Sequence, residues 1–428
     1  MKKPGVMAHC FLVRTSVFIV LGLVPAFFCL SILLPPAAGA AGPDLSNTDF
    51  SKLAALLGNQ DAAMVASPSG EVLFTHNPDA ERVPASTIKL LTALTVFHYL
   101  NTDFRFTTEF FLDSRANLKI KGQGDPLLIS EVVSDIAVAL AIELKGSNQT
   151  FNHLWLDNTY FASPIAIPGV SGSSEPYDAP IGALCVNFNT VNFKQKNGMF
   201  VSAEPQTPLL PMVLPEIKVS GLNKGRITLS HRQDEITYYA GYLFRHFLEQ
   251  AGFDFSGRVG IEPVASQDRL VMVHRSSFTL DQIVARMLEY SNNFIANQVF
   301  IRVGAQQYGA PGTLAKGVRA AQAYAVNELG LGHVVIVEGS GISRANRITA
   351  RDMLKVVTAF EPYHAFMKNK GRLYYKTGHL RGIRTQVGFY EHPEEGLFPY
   401  VIFLNTPGKS MPPVAKQLGQ ALDDGELQ

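Results

Sequence analysis

Three short groups in this sequence place a hydroxyl near an amine or an amide: Ser86-Thr87-Ile88-Lys89, Ser291-Asn292-Asn293 and Lys376-Thr377-Gly378. A serine attacks a carbonyl only when a base takes its proton. A spacing of three on a helix puts Ser86 and Lys89 on one face, within reach of each other. Lys89 must then be neutral for part of its cycle, a state favoured by burial and by a second cation such as Lys376. The start of a helix adds free N–H groups and partial positive charge that stabilise an oxyanion. On a strand, Lys376 and Thr377 are suited to hold a carboxylate, and Gly378 lets a substrate backbone lie close to the sheet edge. The backbone N–H of His379 is then the second oxyanion donor. Ser291 is suited to pass a proton to a leaving amine, and Asn293 to hydrogen-bond Lys89 and a substrate amide. The chemistry these groups describe is acyl transfer through a serine ester.

Ser-x-x-Lys alone occurs about once or twice by chance in a chain this long, so the order and setting of the three groups carry the inference. Other chemistries find little support. The 11 histidines show no paired metal-ligand spacing, and neither a metal nor a cofactor is expected. Gly122-Gln123-Gly124 does not continue as a dinucleotide fingerprint and reads as a turn. A formal charge of +1 in 428 residues gives no basic stripe for nucleic acid. Of three cysteines only Cys185 lies outside the leader, in the apolar stretch Ile181 to Val186, where a buried inert thiol is expected. Trp155, the single tryptophan, reads as a packing residue, and Asn148-Gln149-Thr150 as a glycan-acceptor triplet of no weight.

The elements that must position these residues follow from periodicity. Ala62 to Ala66 and Val72 to Thr75, around Pro68-Ser69-Gly70, read as a hairpin. Thr87 to Leu100 has the apolar pattern of a largely buried helix approached through Pro84. Short β-like runs between about Arg105 and Ser230 suggest a mainly β insertion. Helical patterns follow at Tyr238 to Gln250, Leu280 through Val303, Thr313 to Glu328 and Thr349 to Phe360, with a short strand at Val334 to Val337. Strand signals at Leu373 to Thr377, Thr385 to Tyr390 and Tyr400 to Asn405 precede a last helix near Pro412. The expected fold is α/β, an antiparallel sheet flanked by helices whose first and last strands are neighbours. Residues 44–104 and 235–428 would form this catalytic domain and residues 105–234 the insertion. Before it, Lys2, Lys3 and Arg14 precede an apolar run from Val17 to Leu34 and then Ala38-Gly39-Ala40. Residues 1–40 thus read as an export leader, either cleaved after about Ala40 or retained as a membrane anchor. Either way the rest of the chain faces the outside of the cytoplasmic membrane, in the periplasm or an equivalent space.

The trio resembles that of penicillin-binding proteins and serine β-lactamases. Pro84-Ala85-Ser86-Thr87-Ile88-Lys89-Leu90-Leu91, Gly122-Gln123-Gly124-Asp125-Pro126, Leu184-Cys185-Val186-Asn187-Phe188-Asn189, Tyr290-Ser291-Asn292-Asn293 and Glu338-Gly339-Ser340-Gly341-Ile342-Ser343-Arg344 are similar to the class C D-Ala-D-Ala carboxypeptidases, peptidase family S13. The resemblance implies a β-lactamase/transpeptidase-like domain and accounts for the long interval between the first two groups, where that family carries inserted domains. It implies removal of the terminal D-Ala of peptidoglycan stem peptides, sometimes cutting of cross-links, and inhibition by β-lactams that acylate Ser86. A β-lactamase, or a catalytically weak wall-binding scaffold, are the alternatives. By the same resemblance, Asp157 and Arg344 stand where relatives contact the substrate side chain. Their other readings are a turn cap for Asp157 and a surface ion pair for Arg344.

Overall fold

Turn chemistry at Pro68-Ser69-Gly70 folds the chain back, so Ala62–Ala66 (β1) and Val72–His76 (β2) pair antiparallel. The computed structural model describes residues 49–144 and 150–424. The leader with its cleavage site or anchor, and Asn148 and Gln149, lie outside these residues. After a 3-10 turn over Ala85–Ile88 comes Lys89–Leu100 (α1). Next are Thr107–Leu112 (β3), Leu118–Gly122 (β4), Ser130–Glu143 (α2), Leu154–Asp157 (β5), Thr190–Lys196 (β6), Met199–Ser202 (β7) and Lys224–Thr228 (β8). Gln233–Gln250 (α3), Val259–Ile261 (β9) and Arg269–Arg275 (β10) follow. The chain continues as Leu280–Glu289 (α4), Asn293–Tyr308 (α5), Leu314–Asn327 (α6) and Ala350–Ala359 (α7). It ends with Lys368–Lys370 (β11), Leu373–Leu380 (β12), Ile383–His392 (β13), Gly396–Leu404 (β14) and Met411–Asp424 (α8).

Six strands form one antiparallel sheet in the order β11-β12-β13-β14-β1-β2. The first and last long strands are neighbours, as the pattern at the two chain ends suggests: Ala62 stands opposite Phe403 and Val65 opposite Tyr400. Alternation along these strands feeds two cores. Met64, Val387, Val401 and Phe403 pack against α1 and α5 through Leu91, Leu94, Val299 and Phe300. Ala63, Val65, Tyr400 and Ile402 pack against α8 through Val414, Leu418 and Leu422. The result is the expected antiparallel sheet flanked by helices.

A second sheet, β9-β5-β4-β3-β10, mixes parallel and antiparallel pairs and is covered by α2 and α3, whose Val133, Ile136, Tyr239, Leu243 and Phe244 share a core with Phe110, Leu118 and Ile120. A small sheet, β7-β6-β8, adjoins the same core. Two expectations are corrected here. The inserted segment carries helices as well as strands, because the apolar residues of α2 need a partner surface and find it on the second sheet. The return to the catalytic layer at residue 235 is also too early. β10 pairs with β3 along its length, and α3 buries its apolar stripe in the second core. The chain leaves and re-enters at one place: Ser276 N–H donates to Phe106 O and Leu280 N–H to Phe104 O.

A third correction concerns Leu280 through Val303, which reads as one helix but is two. Ser291 has φ 51°, in the left-handed region, and Asn292 then caps α5 by accepting a hydrogen bond from the Ile295 N–H at 2.9 Å. No described helix is long and apolar enough to cross a membrane.

Candidate active site

Ser86 lies in the 3-10 turn that opens α1, and Lys89 is the first residue of the helix proper. The amine of Lys89 is completely buried. It donates to Ser86 Oγ at 3.1 Å, Asn293 Oδ1 at 2.8 Å and the Ser340 carbonyl at 2.5 Å. Two of these three partners are carbonyl oxygens, which only accept. When Lys89 loses a proton, its two remaining hydrogens stay on those carbonyls and its lone pair is left facing Ser86 Oγ. Burial lowers the Lys89 pKa to about 7, against the attraction of Glu338. A neutral base aimed at a serine hydroxyl is thus present near neutral pH.

The break between α4 and α5 carries the second group. Asn293 takes Lys89, and Ser291 Oγ, two residues earlier, accepts from Lys376 Nζ at 2.8 Å. One short loop therefore bridges the two lysines. Lys376 is also buried and donates to the Thr377 carbonyl at 2.8 Å. Burial first, then repulsion from Lys89 and Lys368, holds Lys376 well below the ordinary lysine range. Lys89 and Lys376 repel one another, and at Lys376 this repulsion adds to the effect of burial.

The third group sits on β12, which β11 covers only as far as Tyr375, so that Lys376 to Leu380 form a free edge. Gly378 lies directly over the residues before the serine. A Cβ there would stand 2.9 Å from both Ala85 Cβ and Pro84 O and would collide with Thr385 Oγ1. Thr385 itself donates to Pro84 O at 2.8 Å, tying the sheet to the same loop. Ala85, like Ser291, is a non-glycine residue in the left-handed region, at φ 48°. Such conformations cost about 1 to 3 kcal/mol each and persist where the surroundings impose them. The side chains of Thr377 and His379 are exposed.

Ser86, Lys89, Ser291, Asn293 and Lys376 are thus joined by hydrogen bonds, with Gly378 packed on the loop before Ser86. Asp157 is not part of this group. It is 1% exposed, its Oδ1 accepts from Thr159 N–H at 2.9 Å and Thr159 Oγ at 2.6 Å, and its Oδ2 accepts from Val264 N–H at 2.9 Å. It is a turn cap. Arg344 is exposed and donates to the Arg381 carbonyl, in the turn after β12, so it stands beside the strand that carries Lys376. Cys185 is buried and its thiol is pushed up to about 12, as an inert core residue should be.

Sequence reasoning missed Glu338. It is fully buried and accepts from Ser340 N–H and Oγ at 2.6 Å each, Gly341 N–H at 2.7 Å, Ser343 N–H at 3.2 Å and Asn346 Nδ2 at 2.6 Å. These bonds shape the turn whose Ser340 carbonyl holds Lys89. The signal was there, an acid directly before Gly339-Ser340-Gly341.

A serine facing a buried amine, a second lysine on an edge strand and a loop that bridges the two define an acyl-transfer enzyme of the serine type. The chain belongs to the D-Ala-D-Ala carboxypeptidase 3 (S13) family, which it matches over residues 48–368. It is similar to a D-alanyl-D-alanine carboxypeptidase of Actinomadura sp. strain R39, at 27% identity covering 74% of this chain and 70% of that protein. In fold it is similar to penicillin binding protein 4 of Haemophilus influenzae, with a TM-score of 0.68 at 16% identity, covering 88% of this chain and 99% of that one. A second structure of that protein, complexed with a β-lactam, gives 0.64 at 18% identity over 87% and 98%.

Proposed function

We propose that this enzyme removes the terminal D-Ala of peptidoglycan stem peptides through an ester on Ser86. Neutral Lys89 takes the Ser86 Oγ proton as Oγ attacks the carbonyl carbon of the penultimate D-Ala. The resulting oxyanion is held by the backbone N–H groups of Ser86 and His379. The proton taken by Lys89 reaches the leaving nitrogen through Ser291, whose hydroxyl gives its own proton to nitrogen and receives that one in exchange; D-Ala departs with Lys89 neutral again, and water then hydrolyses the ester. Lys376 and Thr377 hold the terminal carboxylate, whose negative charge raises the Lys376 pKa on binding. In this reading Arg344, which bonds the Arg381 carbonyl just past β12, contacts the substrate side chain. Asp157 has one oxygen engaged in its turn and the other on the Val264 N–H. A cross-linked stem presents the same D-Ala carbonyl with a larger amine behind it, so endopeptidase cutting uses the same steps. A β-lactam reproduces the acylation and leaves Ser86 esterified.

The leader supports an enzyme working outside the cytoplasmic membrane, where its wall substrate is found. No cofactor enters any step. The observation that carries the reading is the hydrogen-bond set of Lys89, which leaves a neutral amine no direction for its lone pair except Ser86. The test is mass spectrometry of the intact protein after penicillin, with peptide mapping, beside an assay of D-Ala release. One adduct on Ser86, and loss of both signals in Ser86→Ala, is expected. An adduct elsewhere, or D-Ala release surviving in Ser86→Ala, overturns it. Rapid destruction of the penicillin would instead indicate a β-lactamase.

A further inference from the structure

Asn293 can hold Lys89 only if its amide points the right way round. An amide flip would present Nδ2 to the Lys89 amine, a donor against a donor. The orientation is fixed on the other side of the amide, where Asn293 Nδ2 donates to the backbone carbonyl of Tyr177 at 3.2 Å. Tyr177 belongs to a segment, residues 169–178, that lies within the inserted part of the chain. The other end of this segment reaches the other carbonyl partner of Lys89. Gly169, at φ 93°, is so close to the Ile342-Ser343 backbone that a Cβ would stand 2.8 Å from Ser343 Cα and 2.9 Å from Ile342 O. That backbone directly follows the Ser340 turn. One stretch of chain thus touches both loops that deliver acceptors to Lys89.

The segment is clipped internally by a carboxylate. Asp178 is 0% exposed, and one of its oxygens, Oδ2, accepts four hydrogen bonds: from Ser171 N–H at 3.2 Å and Oγ at 2.5 Å, and from Ser173 N–H at 3.1 Å and Oγ at 2.7 Å. The small sheet secures it from outside, since Thr228 donates through N–H to Ser174 O at 2.8 Å and through Oγ to Glu175 O at 2.7 Å. A carboxylate buried this way closes a loop that has little apolar content of its own to hold it.

We propose that residues 169–178, closed by Asp178, are a brace that fixes the positions of both carbonyl acceptors of Lys89, making Asp178 a positioning residue for the acylation of Ser86. The proposal rests on the role given to Lys89 above. It assigns the inserted part of the chain a task in the chemistry through the orientation of the Asn293 amide. The charged groups near Lys89 are Glu338 and Lys376, both outside residues 169–178.

The test is the second-order rate of Ser86 acylation by penicillin, measured against pH beside the melting temperature. Asp178→Ala is expected to slow acylation at least about tenfold, because the lone pair of Lys89 is no longer aimed. It should also move the acid limb down by roughly half a pH unit or more, because the carbonyls that favour the ammonium have shifted. Asp178→Asn keeps an oxygen for the same four donors and should recover most of the rate and the original limb. A folded Asp178→Ala with wild-type rate and limb overturns the proposal, as does one that is merely less stable with the limb unmoved. Equal loss in Asp178→Asn overturns it too, since acceptor geometry would then not be the cause. If Asp178→Ala does not fold, the Ser171→Ala, Ser173→Ala double variant, which keeps the backbone bonds, is read by the same criteria. Failure of the wild type to acylate at Ser86 would instead remove the functional reading itself.

Discussion

At the residue scale, Lys89 is the group on which the pH behaviour turns. Its pKa of about 7 places the loss of its proton inside the working range, so acylation should rise with pH through neutrality and level off above it. Stopped-flow acylation across pH 5 to 9 should show a limb centred about there. Lys89→Arg cannot deprotonate, and should lose roughly 10²- to 10⁴-fold at every pH; a variant with wild-type rate would mean that another group is the base. Ser86, Lys89, Ser291 and Lys376 were legible in the sequence because a reading for chemistry looks for such side chains at such spacings. Glu338 and Asp178 were not, because each acts through backbone N–H groups and hydroxyls that fold brings to it. Asp157 shows the converse, a residue that matches by position and is spent on a turn.

At the element scale, the site depends on two close joints. Gly378 lets β12 rest on Pro84 and Ala85, and Gly378→Ala should push the strand off that loop. Penicillin acylation is expected to fall about 100-fold, the scale of an ångström's misplacement, while circular dichroism stays native. Unchanged acylation would show that the strand can give. The other joint is the break at Ser291. Leu280, Ile283, Val284, Met287 and Leu288 run on into Phe294 and Ile295 with helical spacing, so periodicity alone passes straight through it. What stops the helix is one left-handed serine, held by packing and by Lys376, which no apolar pattern encodes. The strands of the first sheet were legible because each is short, apolar and bounded by turn residues. Of the two helices covering the second sheet, α3 was legible as a helix, whereas α2 was not distinguished from the strands of a region dense with Gly, Pro and Asn.

Across the whole molecule, two buried lysines make stability depend on pH. Lys89 titrates near 7 when folded and near 10.5 when unfolded, so between those values the unfolded chain holds the extra proton and the folded state gains as pH rises. Lys376 is lowered too, and its contribution has the same sign. Denaturant melts of wild type and Lys89→Met should therefore converge from pH 7 towards pH 10, the variant's advantage at neutral pH shrinking by up to about 1.4 kcal/mol per unit. A constant difference would show that Lys89 keeps its ordinary affinity for protons. The near side of the insertion is drawn around residue 105, where composition changes. The far side could not be placed from α3 onward, because a helix carries no mark of which sheet its apolar stripe will meet.

The strand order has a further consequence for how the molecule comes together. β1 is made long before its neighbour β14, which spans residues 396–404. Until then the row that carries Ala62 to Ala66 has one unfilled flank, and contacts so distant in sequence are slow to form. Proteolytic loss of the chain from residue 396 onward would therefore split the sheet through its middle instead of trimming an end, parting the Ser86 half from the Lys376 half.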